Sequence, residues 1–242
     1  MENALLVGLS AQMALGRNME IIANNLANTS TSGFKREAPV FEELMVPVDG
    51  DANAPREISF VRDWGVVRDM SAGSLDQTGS PLDVAVDGPG FLIVRTAQGE
   101  RYTRDGHMKL DAQGRIVTSD GDAVLSDGGE ITIPPGASDI KIAPDGTVST
   151  AQGTAGKLRL VEFPPGAMKK EGKNLYSADG TPQPAPGSRV LQGMIERSNV
   201  EAVVEMTKMI EVLRAYQHST ETLNATDDMI RRATQKLGEV RA

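Results

Sequence analysis

The sequence predicts an α+β chain, with N- and C-terminal helices pairing in a coiled-coil-like domain and a central antiparallel all-β domain between them in sequence. Three observations carry this. All 13 prolines fall between Pro39 and Pro186, and 21 of the 25 glycines lie between residues 37 and 195. Because Pro and Gly destabilise helix interiors, both ends of the chain are kept fit for helix and the middle is not. Apolar residues recur at steps of three and four in the ends, whereas the middle alternates in short runs separated by Asp-Gly turns.

The first arm places Ala4, Gly8, Ala11, Leu15, Met19, Ile22 and Leu26 on one helical stripe that begins small and ends large. Asn24, Asn25 and Asn28 follow near the end of that helix, and the Thr/Ser run before Gly33 cannot easily continue it. Two roles suit the three amides. They are solvated at a helix stop, or they bond across a repeated interface and set its register, each carboxamide being donor and acceptor together.

Residues 35–80 are weakly periodic and read as an extended connector with partial strands. The β domain is expected over 81–192. DVAVDGPGFLIV (Asp83 to Val94) alternates and then turns apolar, with DGPG as the turn. GRIVT, EITIPP, IKIAPDGTVST and KLRLVEF repeat the pattern of short strand and turn. The second arm, 193–242, opens on Ser198 and Glu201 at capping-box spacing. Val203, Met206, Ile210 and Leu213 then step by three and four, and Leu223, Ile230 and Leu237 step by seven within mixed charge. Such stripes commonly form a buried helix face. Their position at opposite ends of the chain predicts instead that they pair with each other and with neighbouring subunits, the first arm ending at residue 34.

Composition excludes several functions. With 25 Lys plus Arg against 33 Asp plus Glu, the net charge is -8, which argues against a nucleic-acid partner. No cysteine is present, which removes disulfides, thiolate metal sites and cysteine nucleophiles. His107 and His218 lack ligand spacing, and no nucleophile elbow or phosphate-binding loop occurs. Asp120, Asp122 and Asp127 lack EF-hand order and read as turn residues. No catalytic residue, cofactor, metal or small-molecule substrate is therefore expected. The apolar start is not preceded by Lys or Arg, so a cleaved signal peptide is not expected, nor is membrane insertion.

The run ANNLANTSTSGFKR, Ala23 to Arg36, resembles the N-terminal signature of bacterial flagellar rod and hook proteins, the axial family of the basal body. TGSPLDVAVDGPGFLIV, ERYTRDGHMKLDAQGRIVTSDGDAVL and SNVEAVVEMTKMIEVLRAYQ match in the same order, and together the stretches cover most of the chain. The start and the short middle are most similar to the proximal-rod branch, with the distal-rod branch as close relative. His107 stands where the family often has Asn, and Glu201-Ala202 where Asn-Pro or Asn-Val is frequent.

The resemblance implies that the two arms form an inner helical domain lining a hollow tube, with the β domain outside. It implies a structural subunit that transmits torque, exported through the flagellar type III apparatus and assembled in the periplasm. The expected partners are neighbouring proximal and distal rod subunits and further copies of itself. It adds Gly33, Phe34, Asn199 and Tyr216 to the assembly residues already read from the stripes and amides. A peptidoglycan-cutting enzyme would need a carboxylate pair in the middle, and an export chaperone would remain a monomer or dimer.

Overall fold

The computed structural model describes residues 2–47, 57–164, 166–172 and 174–239. The chain is α+β: a helix at each end and, between them, strands that pair antiparallel throughout. It divides into two compact units, one of residues 1–27, 36–69 and 201–242, the other of 28–35 and 70–200.

The first unit contains α1 (Glu2–Ala27), the hairpin β1 (Glu37–Pro47) and β2 (Glu57–Arg68), and α2 (Ala202–Glu239). The helices run antiparallel. Near one end a Cβ on Gly8 would stand 2.4 Å from Leu223 Cδ2, so the small residue permits close approach there. Gln12 Nε2 then donates to Thr220 Oγ1 at 2.9 Å, and Asn25 Nδ2 donates to Glu205 Oε2 at 3.0 Å at the far end. The stripe read in the first arm, from Gly8 to Leu26, is half-buried to buried along its length. The side chain of Ala4 lies outside the described residues.

At the far end the Glu205 carboxylate draws three segments together. Asn25 clamps the Glu37 backbone, donating to its carbonyl at 2.7 Å and accepting from its N–H at 2.9 Å. Arg36 Nε and Lys208 Nζ complete the shell of Glu205 at 2.8 and 3.2 Å. Burial pushes the Glu205 carboxyl up, but the hydrogen bonds from Asn25, Arg36 and Lys208 outweigh it, and the group titrates below its ordinary value. The sequence reading made residues 35–80 an extended connector with partial strands. There the structure has a paired ribbon, registered from Glu37 opposite Arg68 to Pro47 opposite Glu57.

The second unit is a β fold. Its main sheet runs Met168–Lys170, Leu175–Ala178, Gly99–Thr103, Phe91–Thr96, Ala123–Ser126, Ile116–Thr118, Met108–Leu110 in spatial order. The run Phe91–Val94 is apolar without alternation because its strand is covered on both faces. Leu92 and Val94 join one core cluster with Val84, Ile116, Val124 and Val148, while Phe91 and Ile93 join another with Tyr102, Val161 and Tyr176. KLRLVEF, read as one strand, is divided between Gly153–Lys157 and Leu160–Glu162.

Residues 28–35 belong to this β unit. Gly33 takes φ 68°, its N–H donates to the Glu196 carbonyl at 2.8 Å, and a Cβ there would lie 2.5 Å from the Arg104 carbonyl carbon. Next to it Phe34 is buried under the Lys170 ammonium, 4.2 Å from the ring centroid. Lys35 is buried too, and its Nζ donates to Glu196 Oε1 and to the Ser71 carbonyl, both at 2.6 Å. The second oxygen of Glu196 accepts from Arg104 Nη1 at 3.2 Å. Burial pulls the Arg104 guanidinium down from its ordinary value, and Glu196 opposes that pull.

Two outcomes follow from these buried carboxylates. Lys35→Met removes one partner of a fully buried pair, so urea unfolding should show a loss of about 3–5 kcal/mol; an unchanged midpoint would contradict this role. In the helical unit, the folded-state titration of Glu205 lies below its unfolded value, so its stabilisation is full above the ordinary carboxylate range. It is lost as pH falls through the folded value. Helical circular dichroism during acid titration should therefore show a low-pH transition that Glu205→Gln weakens or removes.

Candidate assembly interface

The four apolar residues read as the seam of the second arm do not face α1. Val203 is 76% exposed, Met206 50%, Ile210 53% and Leu213 44%. The face of α2 that carries Glu205 and Thr220 contains instead the half-buried Met209, Val212, Tyr216, Leu223 and Ile230. The reason is angular. At roughly 100° per residue, the ten-residue step from Leu213 to Leu223 misses a whole number of turns by about 80°. The two apolar series that looked continuous in sequence therefore occupy different faces. The side chain of Leu237 lies outside the described residues.

The helix also starts later than the capping-box spacing implies. The hydroxyl of Ser198 accepts from Val200 N–H at 3.2 Å, and α2 begins at Ala202. Its neighbour Asn199 donates from Nδ2 to the carbonyl and hydroxyl of Ser71, each at 3.2 Å, and from its backbone N–H to the Phe34 carbonyl at 3.4 Å.

The three amides separate in role. Asn25 is fully buried in the network around Glu205 and is engaged within the chain. Asn24 is exposed beside the hairpin. At Asn28 the side-chain oxygen accepts from Thr31 Oγ1 at 3.1 Å, inside the turn that ends α1. Of the other residues read as assembly sites, Leu15, Met19 and Leu26 are half-buried and Ile22 is buried on α1, while Gly33 and Phe34 are held in the β unit.

Apolar exposure is not confined to α2. On α1, Leu6, Leu9 and Met13 are exposed at helical spacing, and on the hairpin so are Leu44, Met45, Val61 and Trp64. The sequence reading missed the hairpin because its strands lack a strict two-residue period. Lys35, Arg36, Glu196 and Glu205 were missed because charged residues are rarely buried. Their one legible signal was Lys-Arg directly after the Gly-Phe of the signature. His107 Nδ1 lies 2.9 Å from Asp83 Oδ1 on the β unit. Among the described residues, no group of three or more His, Asp or Glu is arranged to hold a metal, and no helix is long and apolar enough to cross a membrane.

Three family models match in the order of the folded elements. Residues 5–35 match the flagella basal body rod protein model, 85–150 the flagellar hook protein FlgE/F/G D1 domain, and 191–236 the flagellar basal body rod FlgEFG protein C-terminal model. The chain is 40% identical to the flagellar basal-body rod protein FlgF of Caulobacter vibrioides, covering 99% of this chain and 100% of the relative. It is 33% identical to FlgF of Salmonella typhimurium, covering 98% and 99%, and 37% identical to the rod protein FlgG of Buchnera aphidicola subsp. Schizaphis graminum, covering 94% and 96%. A helix from each end, an antiparallel β middle, apolar helix faces left open and likeness along the full length lead to one conclusion: the chain belongs to the flagellar basal-body rod protein family and is a structural subunit of the rod.

Proposed function

We propose that this chain is the proximal-rod subunit, of FlgF type, and that it carries no enzymatic activity. In this reading the helical unit, residues 1–27, 36–69 and 201–242, builds the coiled-coil-like inner domain of a hollow shaft. Residues 28–35 and 70–200 form its outer β domain. The subunit leaves the cytoplasm through the flagellar type III apparatus and joins neighbouring rod subunits in the periplasm. The observation that carries the proposal is the exposed row Val203, Met206, Ile210 and Leu213. A monomer gains nothing from four apolar side chains in water at helical spacing, whereas a neighbour's helix covering them gains about 1.5–3 kcal/mol for each one fully buried. The seam with α1 then serves the fold, and this second face serves assembly. The likeness to FlgG favours the distal rod as the second reading; complementation separates the two, since a proximal subunit restores motility only to a strain lacking its own FlgF.

Ile210→Asp tests the open face. The side chain is exposed in the monomer, so the unfolding midpoint should stay within about 0.5 kcal/mol of the parent. Incorporation into purified basal bodies should be lost, because the contact would bury an unpaired charge. Normal incorporation would show that this face is not used.

The helices draw most of their stability from packing, and α2 packs along one side only. Limited proteolysis of the monomer followed by mass spectrometry should therefore cut first within 1–27, 36–69 and 201–242, and only later within 28–35 and 70–200. Helices that resist cleavage as long as the β unit would contradict this.

A further inference from the structure

The hairpin β1–β2 is a two-stranded sheet, and among the described residues no third strand pairs with either edge. Alone, such a ribbon is marginal in water, and its open edges are templates for a further strand. From Val40 to Pro47 every residue of β1 is exposed, and so are Val61, Trp64 and Val67 on β2. Two bonds at the base of the ribbon fix which backbone groups lie on the open edge. The Arg36 carbonyl accepts from Asp69 N–H at 2.9 Å, across the ribbon, whereas both backbone groups of Glu37 turn the other way to Asn25. Backbone groups alternate in direction along a strand, so Pro39, Phe41, Glu43, Met45 and Pro47 point away from β2. The two prolines thus sit where a missing N–H leaves the hairpin ladder intact. Between them the N–H and carbonyl of Phe41, Glu43 and Met45 face outward. On the opposite edge the same holds for their cross-strand partners, Asp63, Val61 and Ser59.

We infer that the β1 edge of one copy, at Phe41–Met45, pairs antiparallel with the β2 edge of the next copy, at Ser59–Asp63, so that successive ribbons join in one sheet. This rests on the rod-subunit reading and adds a backbone contact to it, of the kind by which an added strand extends a sheet. Charge selects the edges that meet. From Glu37 to Pro47, β1 carries Glu37, Glu42 and Glu43 and no cation, whereas β2 from Ser59 to Arg68 carries Arg62 and Arg68 against Asp63. Two β1 edges would bring carboxylates together, and like charges across a strand pair destabilise it. Two β2 edges would close into a pair and leave both acidic edges open. Joining β1 to β2 uses both edges of every copy and repeats without closing, as a filament requires. Register follows from the same charges. Within one copy Glu42 pairs with Arg62, and repeating that register between copies gives each Glu42 a guanidinium on both sides. Copies stacked in one direction present these two edges antiparallel, as they are in the hairpin. The pairing also covers Leu44, Met45 and Val61, which are exposed in the single chain.

Glu43→Pro removes one outward N–H and puts a ring on the open edge, while the hairpin's own ladder keeps all its donors. Its unfolding midpoint should match the parent, and its incorporation into basal bodies should fall by about tenfold or more. Glu43→Gln keeps the N–H and should incorporate like the parent. The chain has no cysteine, so introduced thiols are unique. Copies carrying only Glu43→Cys and copies carrying only Val61→Cys, co-expressed and oxidised with copper–phenanthroline in isolated basal bodies, should give a disulfide-linked dimer. Either variant expressed by itself should give none. A dimer from one variant alone, an uncrosslinked mixture, or parental incorporation of Glu43→Pro would overturn the pairing. Should Glu43→Pro unfold the hairpin, the thiol mixture decides. If the thiols do not join while Ile210→Asp still blocks incorporation, the ribbon pairing is wrong and the rod reading stands. If Ile210→Asp incorporates as well, the open-face reading falls with it.

Discussion

The carboxylate of Glu205 is the point on which the helical unit depends. Its hydrogen-bond partners come from the end of α1, from the entry to the hairpin and from the next turn of its own helix. An unpaired carboxylate in that position would be expelled or protonated, so the site exists only when all three segments arrive together. This gives the helix pair a definite register. A stripe of aliphatic residues alone tolerates sliding by a turn, whereas Asn25 cannot meet both Glu205 and the Glu37 backbone in any other alignment. The β unit repeats the device with Glu196, which ties the Lys35 ammonium to Arg104, the residue after the strand Gly99–Thr103. Adjacent residues of the signature, Lys35 and Arg36, thus serve different carboxylates in different units.

With register set by polar groups on one side of α2, the opposite side is released from any duty in the fold. That explains how Val203, Met206, Ile210 and Leu213 can be apolar and exposed together. A helix of 38 residues extends roughly 57 Å at 1.5 Å per residue, more than one partner of 26 residues can cover. Length itself therefore leaves apolar surface for other helices. In a filament each subunit meets several neighbours, and contacts too small to hold a dimer add along the lattice.

Much of this was legible in sequence, for physical reasons that differ by region. The arms were legible because breakers are excluded from helices and because the α1 stripe is continuous. The β middle was legible because Asp-Gly turns announce short antiparallel strands. What misled was periodicity read across a gap. Leu213 and Leu223 are both leucines on one helix, yet ten residues rotate them onto different faces. Asn25 could not be assigned because a carboxamide serves a cap, a clamp or an interface equally well, and only the position of Glu205, 180 residues later, decides among them. The hairpin was obscured by its bulge at Val40/Phe41, which breaks the alternation that would have revealed it.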